Sequence, residues 1–168
     1  MLNLNGMLSI VMPAYNEEKL IYHSIMETLR IVEKFVPELE IIAVNDGSKD
    51  NTKAEIERAM KQDSRVRMVS SEKNRGKGNA IIAGVSQVEG KYVAFVDADL
   101  ELNPSQLEGY LKKMLDDNKD VVIGCKFLKD SKLDYPFKRK VISMCYYIML
   151  LVLFHLNVKD TPVSYTHL

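Results

Sequence analysis

Lys91-Tyr92-Val93-Ala94-Phe95-Val96-Asp97-Ala98-Asp99 is an apolar run that stops on two carboxylates. A short run that is apolar at consecutive positions reads as a strand buried on both faces, the kind found in parallel sheets covered by helices. On a strand, positions i and i+2 share a face, so Asp97 and Asp99 are expected to aim at one spot while Ala98 turns away. No lysine or arginine flanks the pair in sequence. Two like charges so close are unfavourable unless a cation or a shared proton intervenes, and carboxylate oxygens suit Mg2+ or Mn2+ held against phosphates. The pair is a candidate site for a metal-bound diphosphate. Aspartate at a strand end also serves simply to open a turn or to cap the next helix.

Outward from this run the same pattern recurs. Leu8 to Met12 is stopped by Pro13, and Leu39 to Val44 by Asn45-Asp46-Gly47-Ser48. With Val66 to Val69, Tyr92 to Val96 and Val121 to Gly124, these make five expected strands. Helical periods separate them: Ile21, Ile25, Leu29, Val32 and Phe35; Ile56, Ala59 and Met60; Ile81, Val85 and Val88; Leu107, Leu111, Met114 and Leu115. The alternation predicts an open α/β fold, a mostly parallel sheet with helices on both faces. Ligands of such sheets sit beyond the carboxyl ends of the strands, and polar motifs follow strands one, two and four here.

Composition limits the function classes. The chain has 168 residues, 46% of them apolar, enough for one globular domain with a core. Its 23 basic and 23 acidic residues balance, so no global field recruits nucleic acid. Two cysteines, Cys125 and Cys145, are too few for a disulfide framework or a zinc site and fit a reducing compartment. Met1 to Met7 is too short, and lacks the basic residues, to be a secretory signal.

Three further motifs carry chemistry. In Pro13-Ala14-Tyr15-Asn16-Glu17-Glu18, proline ends the strand, and Asn16 is expected to cap a helix beginning at Glu17. Capping leaves Tyr15 unexplained, and a flat ring in a strand-end crevice suits a base or sugar pocket. In Asn45-Asp46-Gly47-Ser48-Lys49-Asp50-Asn51-Thr52, the Asp46 carboxylate is placed to accept a nucleobase N–H, with Asp50 and Thr52 as helix caps. That motif is also similar to the acidic pocket of a phosphorelay receiver, but a receiver needs its phosphoacceptor after the third strand, where Val69-Ser70-Ser71 stands. In Asn74-Arg75-Gly76-Lys77-Gly78-Asn79-Ala80, glycines permit close backbone approach, a helix start favours anions, and Arg75 and Lys77 add positive charge. It is not a Walker loop, because the GxxxxGK spacing is absent.

The order of these motifs, ending in Asp97-Ala98-Asp99-Leu100, resembles the family 2 glycosyltransferases of the Rossmann-like GT-A fold. Within them it looks most like the polyprenyl-phosphate sugar transferases, which include dolichyl-phosphate glucosyl- and mannosyltransferases. The resemblance covers roughly residues 7 to 161. It implies an inverting transfer of a hexose from a nucleotide-sugar of the UDP-glucose or GDP-mannose type to an undecaprenyl or dolichyl phosphate, with Mg2+ or Mn2+ as cofactor. Pro13, Ala14, Tyr15 and Glu17 would line the nucleotide pocket, Asp46 would read the base, and Lys77 would sit near the nucleotide. Asp97 would lie nearer the nucleotide, with Asp99 reaching the metal across the diphosphate. The setting implied is cytoplasmic, at the cytoplasmic face of a membrane. Two departures stand out: Asn45 replaces an aspartate common in relatives, and Gly124-Cys125-Lys126 replaces Gly-Ser-Arg, so that Lys126 keeps a charge without the bidentate fork.

The acceptor side is expected in residues 135–161, after a catalytic domain of residues 1–134. Val141 to Leu156 is largely apolar around its circumference, interrupted by Ser143 and His155, and preceded by Lys138-Arg139-Lys140. Its 16 residues span roughly 24 Å as a helix at ~1.5 Å per residue, short of the ~30 Å hydrocarbon core. It reads either as a core helix or as an interfacial one beside anionic headgroups, and the resemblance favours the interface, with Lys138 and Arg139 on the acceptor phosphate. Residues 162–168 do not continue the family pattern: Val163-Ser164-Tyr165-Thr166-His167-Leu168 resembles a translated sequencing adaptor, and a truncated fragment is expected, its activity left open. Other readings are a processive polysaccharide synthase of the same family, a nucleotidyltransferase, and a non-catalytic membrane-associated nucleotide-binding domain.

Overall fold

The structure, a computed structural model, describes residues 1–123. Lys126, Lys138, Arg139, the apolar run 141–156 and the tail 162–168 lie outside the described residues. Strands and helices alternate as β1 (Leu8–Ala14), α1 (Ile21–Val32), β2 (Leu39–Asp46), α2 (Thr52–Gln62), β3 (Val66–Ser71), α3 (Lys77–Val85), β4 (Tyr92–Phe95) and α4 (Gln106–Asp116). The strands form one sheet in the order β3-β2-β1-β4. Every pairing is parallel, with Leu8 opposite both Leu39 and Tyr92, and Ile41 opposite Val66. Chain order reverses between β1 and β4, so the carboxyl ends of these two strands flank a topological switch point. Met1–Asn118 make one compact unit.

Strand periodicity divides the core in two. Leu8, Ile10 and Met12 of β1 and Leu39, Ile41 and Ala43 of β2 join Ile21, Ile25, Leu29 and Val32 of α1, Ile56 and Ala59 of α2, and Leu107 and Leu111 of α4 in one cluster. The alternate residues Val11, Ile42 and Val44 meet Ala80 of α3 in another. Burial on both faces is why these strands read as unbroken apolar runs. Each fully buried isoleucine or leucine stabilises the fold by about 1.5–3 kcal/mol.

Two expectations from periodicity are corrected. On α3 the buried residues are Ala80 and Gly84, whereas Val85 is exposed. The cause is close approach: a Cβ on Gly84 would stand 2.9 Å from Val44 Cγ2 and would also collide with Val11. The smallest side chains therefore face the sheet, and the larger Ile81 and Val88 sit at the margin. The expected fifth strand is not formed by Val121–Ile123: these residues pair with nothing described, and Val121 and Ile123 are exposed. Without a ladder partner an apolar run has no backbone bonds to hold it extended.

A polar network closes the amino ends of the strands. Glu40 is 5% exposed, and its Oε1 accepts from Ser9 Oγ at 2.6 Å and from the Glu89 amide at 2.8 Å. Its Oε2 accepts from Arg67 Nη1 at 2.9 Å, and the Gly90 amide donates to Ser9 Oγ at 2.8 Å. Burial works to raise the Glu40 pKa, but the hydrogen bonds from Ser9, the Glu89 amide and Arg67 outweigh it and hold the carboxyl below the usual glutamate value.

Candidate active site at the carboxyl ends of the strands

The motif after β1 is bound to the motif after β2 by five hydrogen bonds. The Asn16 amide donates to Ser48 Oγ at 3.1 Å, and Asn16 Oδ1 accepts from the Lys49 amide at 2.9 Å. The Glu17 amide donates to Thr52 Oγ1 at 2.7 Å, and the Glu18 amide to Asp50 Oδ2 at 3.1 Å. Glu18 Oε2 in turn accepts from the Asn51 amide at 3.0 Å. Asn16 is thus no helix cap. It holds the left-handed conformation, φ +57°, which asparagine tolerates, and α1 starts only at Ile21 after a turn closed by the Glu17 carbonyl. Asp50 and Thr52, expected as helix caps, do not cap α2 either: Asn51 precedes the helix without a side-chain cap, Asp50 Oδ1 accepts the Thr52 amide in a local turn at 3.0 Å, and both side chains serve to bridge the loops.

The motif after β2 also binds the glycine-rich segment. Asp46 is 4% exposed, and its two oxygens accept the Arg75 amide at 3.0 and 3.1 Å, while Oδ2 also accepts the Gly76 amide at 2.8 Å. Asp46 therefore organises the approach to α3, leaving fewer lone pairs for a base than a free carboxylate offers. Gly47, φ +66°, is pressed so closely on the Lys73–Asn74 backbone that a Cβ would lie 2.5 Å from the Asn74 nitrogen. Asn45 donates from Nδ2 to Ser70 Oγ at 3.0 Å and accepts the Ser48 amide at 3.2 Å. Donating and accepting at once is a task for an amide, which accounts locally for asparagine at this position.

The two carboxylates after β4 lie in a turn instead of on the strand itself. β4 ends at Phe95, the Val96 amide still donates to the Val11 carbonyl at 3.1 Å, and the Leu100 amide closes a turn on the Asp97 carbonyl at 3.1 Å. Alternation nevertheless persists: Val96 and Ala98 are buried, and Asp97 and Asp99 are exposed. Asp99 Oδ1 accepts the Glu101 amide at 3.0 Å. Asp97 Oδ1 lies 2.6 Å from Lys77 Nζ, so the cation missing beside the pair in sequence arrives from α3. Behind the turn, Ser24 Oγ of α1 donates to the Ala98 carbonyl.

Glu17 links the first motif to the last electrostatically. Burial, then the negative charges of Asp99 and Asp50, raise its pKa above the usual glutamate value. Tyr15 is 40% exposed beside it in sequence, and Pro13 is half-buried in β1. Among the described residues no three Asp, Glu, His or Cys side chains are gathered to hold a metal by themselves. A surface depression lined by Glu27, Arg30, Lys34, Phe35, Asn103 and Glu108 contains none of the motif residues.

An open parallel sheet with an acidic turn beyond its fourth strand and three polar loops bound together beside it defines the GT-A class of α/β domain. Residues 9–165 match the glycosyl transferase family 2 profile, and the chain belongs to that family. It is 33% identical over 170 aligned residues to dolichyl-phosphate beta-glucosyltransferase ALG5D of Trichomonas vaginalis, covering 94% of this chain and 51% of that one. The chain thus spans about half the length of that curated relative. Among solved structures it resembles a Pyrobaculum calidifontis mannosyltransferase in complex with GDP-Man and Mn2+, with a TM-score of 0.59 and 23% identity over 67% of this chain and 33% of that one. It also resembles Mycobacterium tuberculosis glucosyl-3-phosphoglycerate synthase in complex with Mn2+ and UDP, with a TM-score of 0.54 and 26% identity over 66% of this chain and 40% of that one.

Ser24, and the bonds that join the first three motifs, escaped the sequence reading. The one available signal was a pair of hydroxyl residues, Ser24 and Thr28, within the apolar stripe of α1.

Proposed function

We propose that the parent protein transfers a hexose from a nucleotide-sugar to a polyprenyl phosphate, and that residues 1–123 carry its donor site. The observation that carries the reading is the exposed Asp97–Asp99 turn held beside the Lys77 start of α3 and the joined loops after β1 and β2. Two exposed carboxylates, with no third acidic side chain gathered to them among the described residues, would suit a hard divalent cation that is also ligated by a diphosphate and water. Asp99 and Asp97 would hold Mg2+ or Mn2+, which supplies charge neutralisation for a departing nucleoside diphosphate.

This chain's own residues do the rest. Asp46 takes up the Arg75 and Gly76 amides and so fixes the start of α3, whose remaining first-turn amides and Lys77 ammonium, here paired with Asp97, would meet the diphosphate. Pro13, Tyr15 and Glu17 form the wall that the first loop contributes to the nucleotide pocket, whereas Ala14, expected there, turns its side chain into the core; the bonds to Ser48, Lys49, Asp50 and Thr52 fix the loop's shape before a ligand arrives. A lipid monophosphate is ionised at neutral pH, so its oxygen attacks the anomeric carbon without a protein base as the bond to the nucleoside diphosphate breaks, with inversion. On charge and family resemblance, Lys126, Lys138 and Arg139 are assigned to the acceptor phosphate, and residues 135–161 to the membrane surface. No helix among the described residues is long and apolar enough to cross a membrane.

The test is transfer of labelled glucose or mannose to polyprenyl phosphate by the product of the whole gene. Labelled lipid that forms only with Mg2+ or Mn2+ supports the reading. Labelled polysaccharide without labelled lipid replaces it with the synthase alternative.

A further inference from the structure

Ser24 lies on the buried stripe of α1, between Ile21 and Ile25, and is only 2% exposed. A serine inside a helix commonly turns its hydroxyl back to the carbonyl four residues earlier. Here it leaves its own helix and donates to the carbonyl of Ala98, a residue 74 positions away and the one between the two exposed aspartates. Ala98 is itself 4% exposed, so this carbonyl has little access to solvent. The acidic turn is otherwise held by the Leu100 amide on the Asp97 carbonyl and the Glu101 amide on Asp99 Oδ1, by Lys77 of α3 on the exposed Asp97 side chain, and by the Val96 amide on the Val11 carbonyl just before it. None of these fixes the Ala98 peptide, between the two aspartates, to a helix. The Ser24 bond does, because α1 is packed on the sheet through Ile21, Ile25, Leu29 and Val32.

We infer that Ser24 is a positioning residue for the metal-binding turn: through the Ala98 carbonyl it sets the direction in which Asp97 and Asp99 present their oxygens. The inference rests on the donor-site reading above and adds a residue that touches neither metal nor nucleotide. Thr28 supplies an internal control. It lies one helical turn further along the same buried face, is fully buried, and among the described residues its hydroxyl has no hydrogen-bond partner. Loss of a hydroxyl at Thr28 changes the helix face without touching the acidic turn.

The experiment is calorimetric titration of Mn2+ into the full 168-residue chain saturated with UDP or GDP. It compares wild type with Ser24→Ala, Ser24→Cys and Thr28→Val, and thermal unfolding of each is recorded alongside. Ser24→Cys keeps the volume with a weaker donor, and so reads the bond if the alanine variant folds poorly. The expected result is Mn2+ affinity about tenfold weaker in Ser24→Ala, about threefold weaker in Ser24→Cys, and unchanged in Thr28→Val. Nucleotide affinity without metal should move less than twofold in all three. Folded Ser24 variants that bind Mn2+ as wild type does overturn the inference and leave the donor-site reading standing. Binding that falls only in proportion to the unfolded fraction also overturns it. A folded wild type with no Mn2+ binding beside either nucleotide overturns both.

Discussion

The amino ends of this sheet and the acidic turn after β4 treat carboxylates in opposite ways, and Asp46 at the end of β2, buried with both oxygens engaged, sides with the former. At the amino ends, Glu40 is buried and both its oxygens are engaged, by Ser9, the Glu89 amide and Arg67. At the carboxyl ends, Asp97 engages one oxygen with Lys77 and Asp99 one with the Glu101 amide, and both stay exposed. The Glu40 side chain is 7% exposed and that of Asp97 54%. A buried acid with both oxygens engaged is part of the scaffold, because removing its partners leaves an uncompensated charge. An exposed acid with free lone pairs, on a turn whose backbone is tied down, is available to a ligand. The difference identifies the functional end without reference to which residue types are present.

The comparison breaks if the two ends respond alike to substitution. The largest effect is expected on turnover: Asp99→Ala in the whole-gene enzyme should lower hexose transfer by at least about a thousandfold while shifting unfolding stability by less than about 0.5 kcal/mol. The reciprocal result is expected at the other end. Glu40→Ala should cost about 1–3 kcal/mol, read from the urea midpoint, because the buried Ser9 hydroxyl and the Glu89 amide lose their acceptor while Arg67 keeps Glu89. Metal-dependent nucleotide affinity in the fraction that stays folded should be unchanged.

Acid sharpens the same contrast. The Glu40 pKa is lowered in the folded chain, so its contribution is present above the ordinary glutamate value of 4.5 and is lost as the pH falls through the lower folded value. Glu17 has the opposite sign. Its raised folded pKa favours the fold below 4.5, and that contribution is lost as the pH rises through the folded value. Urea midpoints measured from pH 7 to pH 3 should therefore show a weaker acid loss in Glu40→Gln than in wild type. Glu17→Gln should be more stable than wild type at pH 7. The smallest effect is expected from Thr28→Val, which removes a buried hydroxyl without a partner and should stabilise the domain by about 1 kcal/mol in thermal unfolding.

Apolar runs and their punctuation made β1 to β4 legible in the sequence, but only β1 and β2 are buried on both faces: β4, expected to be so, leaves Val93 and Phe95 exposed, because α3 packs over Val11, Ile42 and Val44 instead. The face of α3 was not legible, since periodicity counts large apolar residues and this contact is made by Ala80 and Gly84. Val121 and Ile123 were apolar enough to suggest a strand, yet strand formation depends on a partner that local sequence does not name. At the site, Asp97, Asp99 and Asp46 stood out by chemical type. Their partners did not: Lys77 reaches Asp97 across 20 positions, Asp46 meets Arg75 across 29, and Ser24 meets Ala98 across 74. Asn16 was misread as a cap because its short side chain satisfies backbone amides equally well across a gap between loops, and only tertiary structure selects the amide.

The central claim is that Asp97 and Asp99 hold a divalent cation together with a nucleoside diphosphate. The most direct measurement is calorimetry of UDP and GDP with the folded chain, with and without Mn2+, on wild type and on Asp97→Asn/Asp99→Asn. Binding of one nucleotide that strengthens at least tenfold with Mn2+ in wild type, and is indifferent to Mn2+ in the double variant, is the predicted result. Equal dependence on Mn2+ in both proteins, or none in a folded wild type, would contradict the claim.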